Sequence, residues 1–379
     1  MGRPFCSLAA VAVLLLCPRG ASAAEPDALG WMSHDVLPPL TLSFVGDIMH
    51  HRLNGEMPDY DRLYDSPRHL LQVDDLSFAN TEFPVDPERE PAGYPLFNGT
   101  VAYVEAAIRA GFDVFSLANN HTYDLGRPGV AATRRVFADL QSRARIVVNG
   151  IRAEAGAPLE VSAIGIRGWR VGFIAITAFS NVAGAGPHVH LVDYLRADDR
   201  AGFLAQVSAW SREYDLLVVS VHAGAEYVTE PVDHKASFLR DISDAGAHIV
   251  WCHHSHVLQP TERRGNRLII HSAGNFVSAQ RRHQSPYLPF GRWAPTGDTA
   301  VFQVRVERRA DGPAVSALRT PPFTMHDDPV HGLVLRTFEE VLASETNTSW
   351  LDFYRERSRV MADFAATASF HPPRLTMPD

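Results

Sequence analysis

Short apolar runs alternate with helical-period segments along most of the chain, and the runs stop abruptly at polar residues. Residues 41–45 form such a run and meet Gly46-Asp47; residues 76–79 meet Asn80-Thr81-Glu82; residues 113–117 meet Ala118-Asn119-Asn120-His121. Residues 216–221, rich in β-branched and aliphatic side chains, meet His222, and 247–251 meet Cys252-His253-His254-Ser255-His256. Each run has the length and composition of a buried strand. Between them, Val101, Val104, Ala107 and Ile108 keep helical spacing and Gly111 supplies a stop. Helices are also expected over 133–140, 203–210 and 237–245, the last started by Pro231 and ended by Gly246. Residues 160–166 and 170–177 flank Gly168 as a hairpin, and 299–306 and 315–318 flank Asp311-Gly312 as a second one. A further strand over 268–271 leads to Gly274-Asn275-Phe276. Residues 278–297, dense in Pro, Arg and aromatics, read as a long loop and a substrate rim, and the tail from 339 to about 366 reads as helix.

Composition narrows the class. A chain of 379 residues with 46% hydrophobic content can bury a sizeable core. Its formal charge of −8, from 35 basic and 43 acidic residues, argues against a nucleic-acid partner. Lys235 is the sole lysine, which reads first as coding bias. The N-terminus has the form of a secretory signal: Arg3, an apolar stretch over 8–16, then Ala21-Ser22-Ala23 for cleavage. Residues 1–24 are thus expected to be removed and the protein exported to the periplasm, envelope or exterior. Leu16-Cys17 lacks the small residue expected before a lipidated cysteine. The mature chain would keep only Cys252, so no internal disulfide is available, and no later segment is long and apolar enough to span a bilayer.

The chemistry lies at the strand ends. Five runs end in residues able to bind a metal or move a proton, and layered α/β folds bind ligands at the carboxyl ends of their strands. One such ending is unremarkable, because loops are polar; five are harder to assign to chance. The mixture of carboxylate, amide oxygen and imidazole suits a borderline divalent ion such as Zn, Mn or Fe, and the five endings can supply the roughly six ligands of a two-ion site. Taken singly, Asp47 reads as a turn residue, Asn119 as an Asx-turn residue and His222 as a hydrogen-bonded strand terminus.

At these residues the chain resembles the CapA family, the bacterial poly-γ-glutamate capsule proteins. The resemblance runs from about Leu42 to Val277. It rests on Phe44-Val45-Gly46-Asp47, Asn80-Thr81-Glu82, Ala118-Asn119-Asn120-His121 with Asp124 and Gly126, His222-Ala223-Gly224-Ala225-Glu226-Tyr227, His253-His254-Ser255-His256-Val257 and Ser272-Ala273-Gly274-Asn275-Phe276. The family is similar in fold to calcineurin-like metallophosphoesterases. That likeness implies a four-layer α/β/β/α sandwich over about 40–325, with 326–379 as a C-terminal helical extension. It implies Asp47, Glu82, Asn120, His222, His254 and His256 as metal ligands, with two ions. It also implies His121 as the acid that protonates a leaving group, with Glu82 as bridging ligand or base. Asn80, Asn119 and His253 are expected to support the ligands, and Glu226, Tyr227, Asn275 and Arg281 to contact substrate. The first motif departs from the phosphoesterase pattern, since Asp47 is followed by Ile48-Met49-His50 rather than by a histidine two positions on.

Three functions follow as alternatives. The first is a metal-dependent hydrolase in capsule polymer biosynthesis, acting on an anionic polymer, small molecule or peptide. The second is a non-catalytic capsule-assembly or polymer-binding factor, working with a membrane synthesis complex. The third is an epimerase-like, peptide-modifying enzyme in which Glu82 and His121 form an acid–base pair.

Overall fold

The computed structural model describes residues 37–371 and the backbone of Leu14–Leu16. The leader expected over 1–24 otherwise lies outside the described residues.

The chain forms a mixed α/β structure. Among the described residues, one seven-stranded sheet contains Leu40–Ile48, Leu76–Thr81, Val114–Ser116 and Val147–Asn149 in parallel, in that order. Phe302–Arg309 and Gly312–Arg319 extend it antiparallel beyond Leu40–Ile48, and Asn275–Val277 pairs with the end of Leu40–Ile48. The second seven-stranded sheet is centred on Trp169–Thr177, Leu216–His222, Ile249–His253 and Arg267–Ala273, again parallel. Ser162–Ile166 and Leu258–Arg264 pair antiparallel at its flanks, and Leu14–Leu16 lies parallel to Ile164–Ile166 at its edge. Pro322–Asp328 joins Asp298–Ala300 and Gly332–Arg336 in a small third sheet.

Period-2 alternation sends successive side chains to opposite faces. Phe44 and Phe78 face a core shared with Phe173, Val218 and Trp251 of the second sheet. Their neighbours Val45 and Ala79 pack instead with residues of the helices Val101–Ala110 and Gly126–Arg143. On the second sheet, Ile174 and Val219 turn away from the shared core onto Phe203 and Phe238 of Ala197–Trp210 and Asp233–Asp244. Trp251 ties the sheets together: it is fully buried, donates from Nε1 to the Val45 carbonyl at 2.9 Å and lies 5.6 Å from Phe44.

The elements follow the sequence with informative differences. Thr100 caps the first long helix by accepting from Tyr103 N, and Gly111, at φ 122°, ends it. The helix expected over 133–140 runs from Gly126 to Arg143, because Pro128 falls in its first turn, where no backbone donor is required. The tail helix is two, Phe338–Ser344 and Thr348–Ala368, and Asn347 caps the second by accepting from Ser349 N and Trp350 N. Pro322–Asp328 crosses the boundary expected at 325/326, so the C-terminal segment opens on a hairpin before it becomes helical. No helix among the described residues is long and apolar enough to cross a membrane.

Candidate functional site

Parallel pairing gathers the strand ends. Register sets Asp47 beside Asn80 and Asn275 in one sheet, and His222 beside His253 in the other. Gly46 makes the approach possible. A Cβ there would stand 2.1 Å from the Gly274 carbonyl oxygen, and Asp47 N donates to that same oxygen at 2.9 Å. Asp47, Glu82, His222 and His253 are fully buried and His254 and His256 nearly so.

Two ligand sets share one carboxylate. Ligand atoms of Asp47, Glu82 and His222 lie within 4.8 Å of one another, and so do those of Glu82, His254 and His256. Oδ2 of Asp47, both oxygens of Glu82 and Nδ1 of His254 have no hydrogen-bond partner despite burial. Buried carboxylate oxygens without donors are costly, and a cation between them removes the cost. The donor set therefore fits a divalent ion of the borderline class. His254 and His256 hold positive φ values of 84° and 56°, a conformation that side-chain-bearing residues rarely adopt outside constrained sites.

Supporting contacts fix the side chains of this cluster. Asn80 donates to Asp47 Oδ1 at 2.8 Å, and its amide nitrogen lies 3.5 Å from His222 Nδ1. His222 Nε2 is 2.8 Å from Asn120 Oδ1 and 3.6 Å from Glu82 Oε1. Asn119 donates to the Thr81 carbonyl at 2.8 Å and to Asn80 Oδ1 at 3.4 Å. His253 lies between Asp47 Oδ1, at 3.4 Å, and Ser220 Oγ, at 3.2 Å. His121 Nδ1 is 2.7 Å from Asp124 Oδ2, and its ring meets Phe97 edge-on at 4.6 Å.

Lys235 has more than a compositional place. Its buried ammonium donates to Gln259 Oε1 at 2.6 Å, the His271 carbonyl at 2.8 Å and Ser255 Oγ at 3.4 Å, directly behind the histidine loop. Gly224, at φ 113°, leaves the space: a Cβ there would be 2.6 Å from Lys235 Cδ. Cys252 is free and buried, and burial raises its thiol pKa.

The electrostatics separate the two carboxylates. Burial works to raise the Asp47 carboxyl, but the nearby His253 and His256 imidazoles overcome it and hold the group well below the usual carboxylate range. Burial and then the Asp47 charge push Glu82 well above it. Burial, followed by His256, drops His254 to about 3, and burial also lowers His222 and His253. The two carboxyls are thus driven in opposite directions, with a proton favoured on Glu82 over Asp47, beside the position where a cation fits. Because the folded pKa of Glu82 exceeds its unfolded value, the native metal-free chain binds the extra proton. Stability is lost as pH rises from the unfolded pKa towards the folded one. Glu82→Gln removes this titration. The metal-free variant is expected to melt at or above the wild-type temperature at pH 8 while binding divalent metal far more weakly, as read by thermal melts and metal titration.

The expected substrate contacts divide. Exposed Glu226 and half-buried Tyr227 line a cavity of about 310 Å³ with His121 and His256. Asn275 is occupied within the protein: its oxygen faces His256 Nδ1 at 2.9 Å, and its nitrogen donates to Gln280 and to the Thr296 carbonyl. It orients a histidine rather than a ligand. Arg281 is likewise corrected. Its guanidinium is buried against Asp298, the Ala294 carbonyl and Thr324, so it is not available to substrate in that cavity. Arg282 and Arg292 line the cavity instead. Sequence reasoning also passed over Asn181, whose amide lies 3.4 Å from His121 Nε2 and 3.2 Å from Asn120. It lies just beyond the end of Trp169–Thr177, so the strand-end rule that found the other residues would have found it.

A mixed α/β protein in which the parallel strands of two sheets end on a buried carboxylate–imidazole cluster defines the class, and comparison with known proteins places the chain within it. Residues 41–280 match the model described as "Bacterial capsule synthesis protein PGA_cap", and the chain belongs to that family. It is 28% identical over 359 residues to the PGA biosynthesis protein CapA of Bacillus subtilis (strain 168), covering 91% of this chain and 88% of that one. It is 30% identical over 331 residues to the capsule biosynthesis protein CapA of Bacillus anthracis, covering 80% and 72%. A hypothetical protein from Thermus thermophilus aligns in structure with a TM-score of 0.44 at 16% identity, over 75% of this chain and 99% of that one.

Proposed function

We propose that this chain is an exported accessory protein of anionic capsule polymer synthesis, with a metal-dependent hydrolase site at the strand ends of a four-layer, metallophosphoesterase-like sandwich. The relatives named for capsule and PGA biosynthesis support the polymer context. One observation carries the hydrolase reading: Glu82 is shared by two ligand sets, and its oxygens and Asp47 Oδ2 are buried without donors. In this reading Asp47, Glu82, Asn120, His222, His254 and His256 hold one or two divalent ions of the Zn, Mn or Fe type. Such an ion supplies Lewis-acid polarisation of a phosphoryl or acyl oxygen.

The chain's own residues do the rest. His121 opens on the cavity, and Asp124 accepts from its Nδ1. That bond keeps the proton on Nδ1, so Nε2 serves the departing group by giving up the second proton of the imidazolium form. Phe97 N donates to the same Asp124 oxygen at 2.9 Å and holds the carboxylate in place. A screen of phosphoester, ester and γ-glutamyl substrates on the mature protein tests the reading. His121→Ala is expected to lower kcat by roughly 10²–10⁴-fold, the usual range for general acid–base catalysis, with KM nearly unchanged. Asp124→Asn should reproduce a part of that loss. Wild-type turnover in His121→Ala would remove His121 from the chemistry.

A further inference from the structure

The cavity that opens above His121 and His256 carries two arginines without acidic partners. Arg282 and Arg292 both line it and are exposed, and among the described residues neither forms an ion pair. Arg281, one residue away, is by contrast committed to Asp298. The Arg292 guanidinium lies over the Tyr227 ring at 4.7 Å and 5.1 Å from the Trp293 ring centroid. Tyr227 is itself held in the left-handed region, at φ 60°, and accepts from Gln280 Nε2 at 3.4 Å. Arg292 therefore rests on an aromatic platform, with its edge donors unspent. A stacked guanidinium loses little freedom on binding and presents a fork that matches a carboxylate or a phosphate. Arg282 Nε points to His283 Nε2 at 3.2 Å, which leaves its terminal nitrogens for a ligand. Among the described residues, the one carboxylate lining this cavity is Glu226, so two guanidiniums face a single carboxylate at its mouth, on a chain of net charge −8.

We propose that Arg282 and Arg292 form an anion-recognition pair at the mouth of the cleft, which grips a carboxylate or phosphate group of the ligand at a distance from the reacting bond. The inference rests on the reading of this cleft as the substrate site, and it assigns what selects the substrate there. Such a pair would position an anionic chain across His121 and the carboxylate–imidazole cluster, and would discriminate against neutral analogues that lack the flanking charge.

The test needs neither metal nor turnover. The mature chain, treated with chelator, is titrated calorimetrically with tri-γ-glutamate, with tripolyphosphate and with the γ-linked isoglutamine trimer amide, in which every free carboxyl of tri-γ-glutamate is an amide. The same titrations are run on Arg282→Gln, Arg292→Gln and the double variant. At least one anion should bind the wild type, and its affinity should fall about tenfold with each substitution and fall again with added salt. The trimer amide should bind at least tenfold more weakly than the preferred anion and should be indifferent to the substitutions. Preference for the glutamate trimer or for the polyphosphate identifies the group that is gripped. No anion binding by the wild type, or equal affinity in the double variant, overturns the proposal. Because both arginines are exposed, melting temperatures should not move, so loss of binding cannot be confused with unfolding. Failure here leaves the metal site standing, and failure of metal binding leaves this result standing.

Discussion

Asp47→Ala is expected to lower divalent-metal affinity by at least about a hundredfold, the upper end of what even supporting residues around a metal contribute. Asp47 stands at the meeting point of the two sheets. It accepts from Asn80, its Oδ2 is buried without a donor, and His253 and His256 approach its two oxygens at 3.4 and 3.5 Å. Removing the carboxylate deletes a proposed ligand and the charge that balances the imidazoles. In the metal-free state the effect differs, because Asp47 also raises the pKa of Glu82. Its removal lets Glu82 ionise more readily, so the metal-free variant should stay folded. Asp47→Asn keeps the volume and should lose metal in the same way. A metal titration paired with a thermal melt separates the effects. Wild-type affinity in either variant would show that the cluster is structural.

Asp298→Ala is expected to destabilise the chain by about 3–5 kcal/mol, the cost typical of removing one member of a buried ion pair. Asp298 is buried and bridges two buried arginines. One oxygen meets Arg281 and the other accepts from Arg357 Nε at 2.8 Å. The bridge joins the rim segment after residue 278 to the helix Thr348–Ala368, and Arg357 also donates to the Pro289 carbonyl at 3.2 Å. Alanine leaves two guanidiniums buried without a counter-charge. Urea unfolding gives the free energy, and a loss below about 1 kcal/mol would mean that the arginines reach water. The same variant should loosen the segment that carries Arg282 and Arg292, so weaker anion binding should accompany the loss of stability.

Much of the candidate cluster was legible because strand ends are local features. Asp47, Glu82, Asn120, His222, His254 and His256 each follow a visible apolar run, and parallel pairing brings such ends to one edge. The supporting roles were less legible. Arg281 and Arg282 are adjacent and chemically equal, and only the turn Gln280–His283 decides which one faces Asp298 and which the cleft. Asn275 sits at a strand end like the others, yet neighbours from three segments consume its amide. His50 and His51, which follow the first strand end, are both buried, and burial brings His51 to about 3. The hairpin of Pro322–Asp328 and Gly332–Arg336 was missed although Phe323 and Met325 alternate with Thr324, because the Asp-Asp-Pro that follows reads as loop. Lys235 looked like a quirk of composition, and only its three neutral acceptors show that it braces the histidine loop.

The most direct test of the central claim is a metal titration of the full mature chain, stripped by chelator and followed by calorimetry in two buffers of different ionisation enthalpy. One or two equivalents of Zn, Mn or Fe(II) should bind tightly, with proton release as Glu82 gives up its proton, and His254→Ala should lose that binding while keeping its fold. A correctly folded wild-type chain that binds no stoichiometric metal, or that binds it equally well as His254→Ala, would contradict the account.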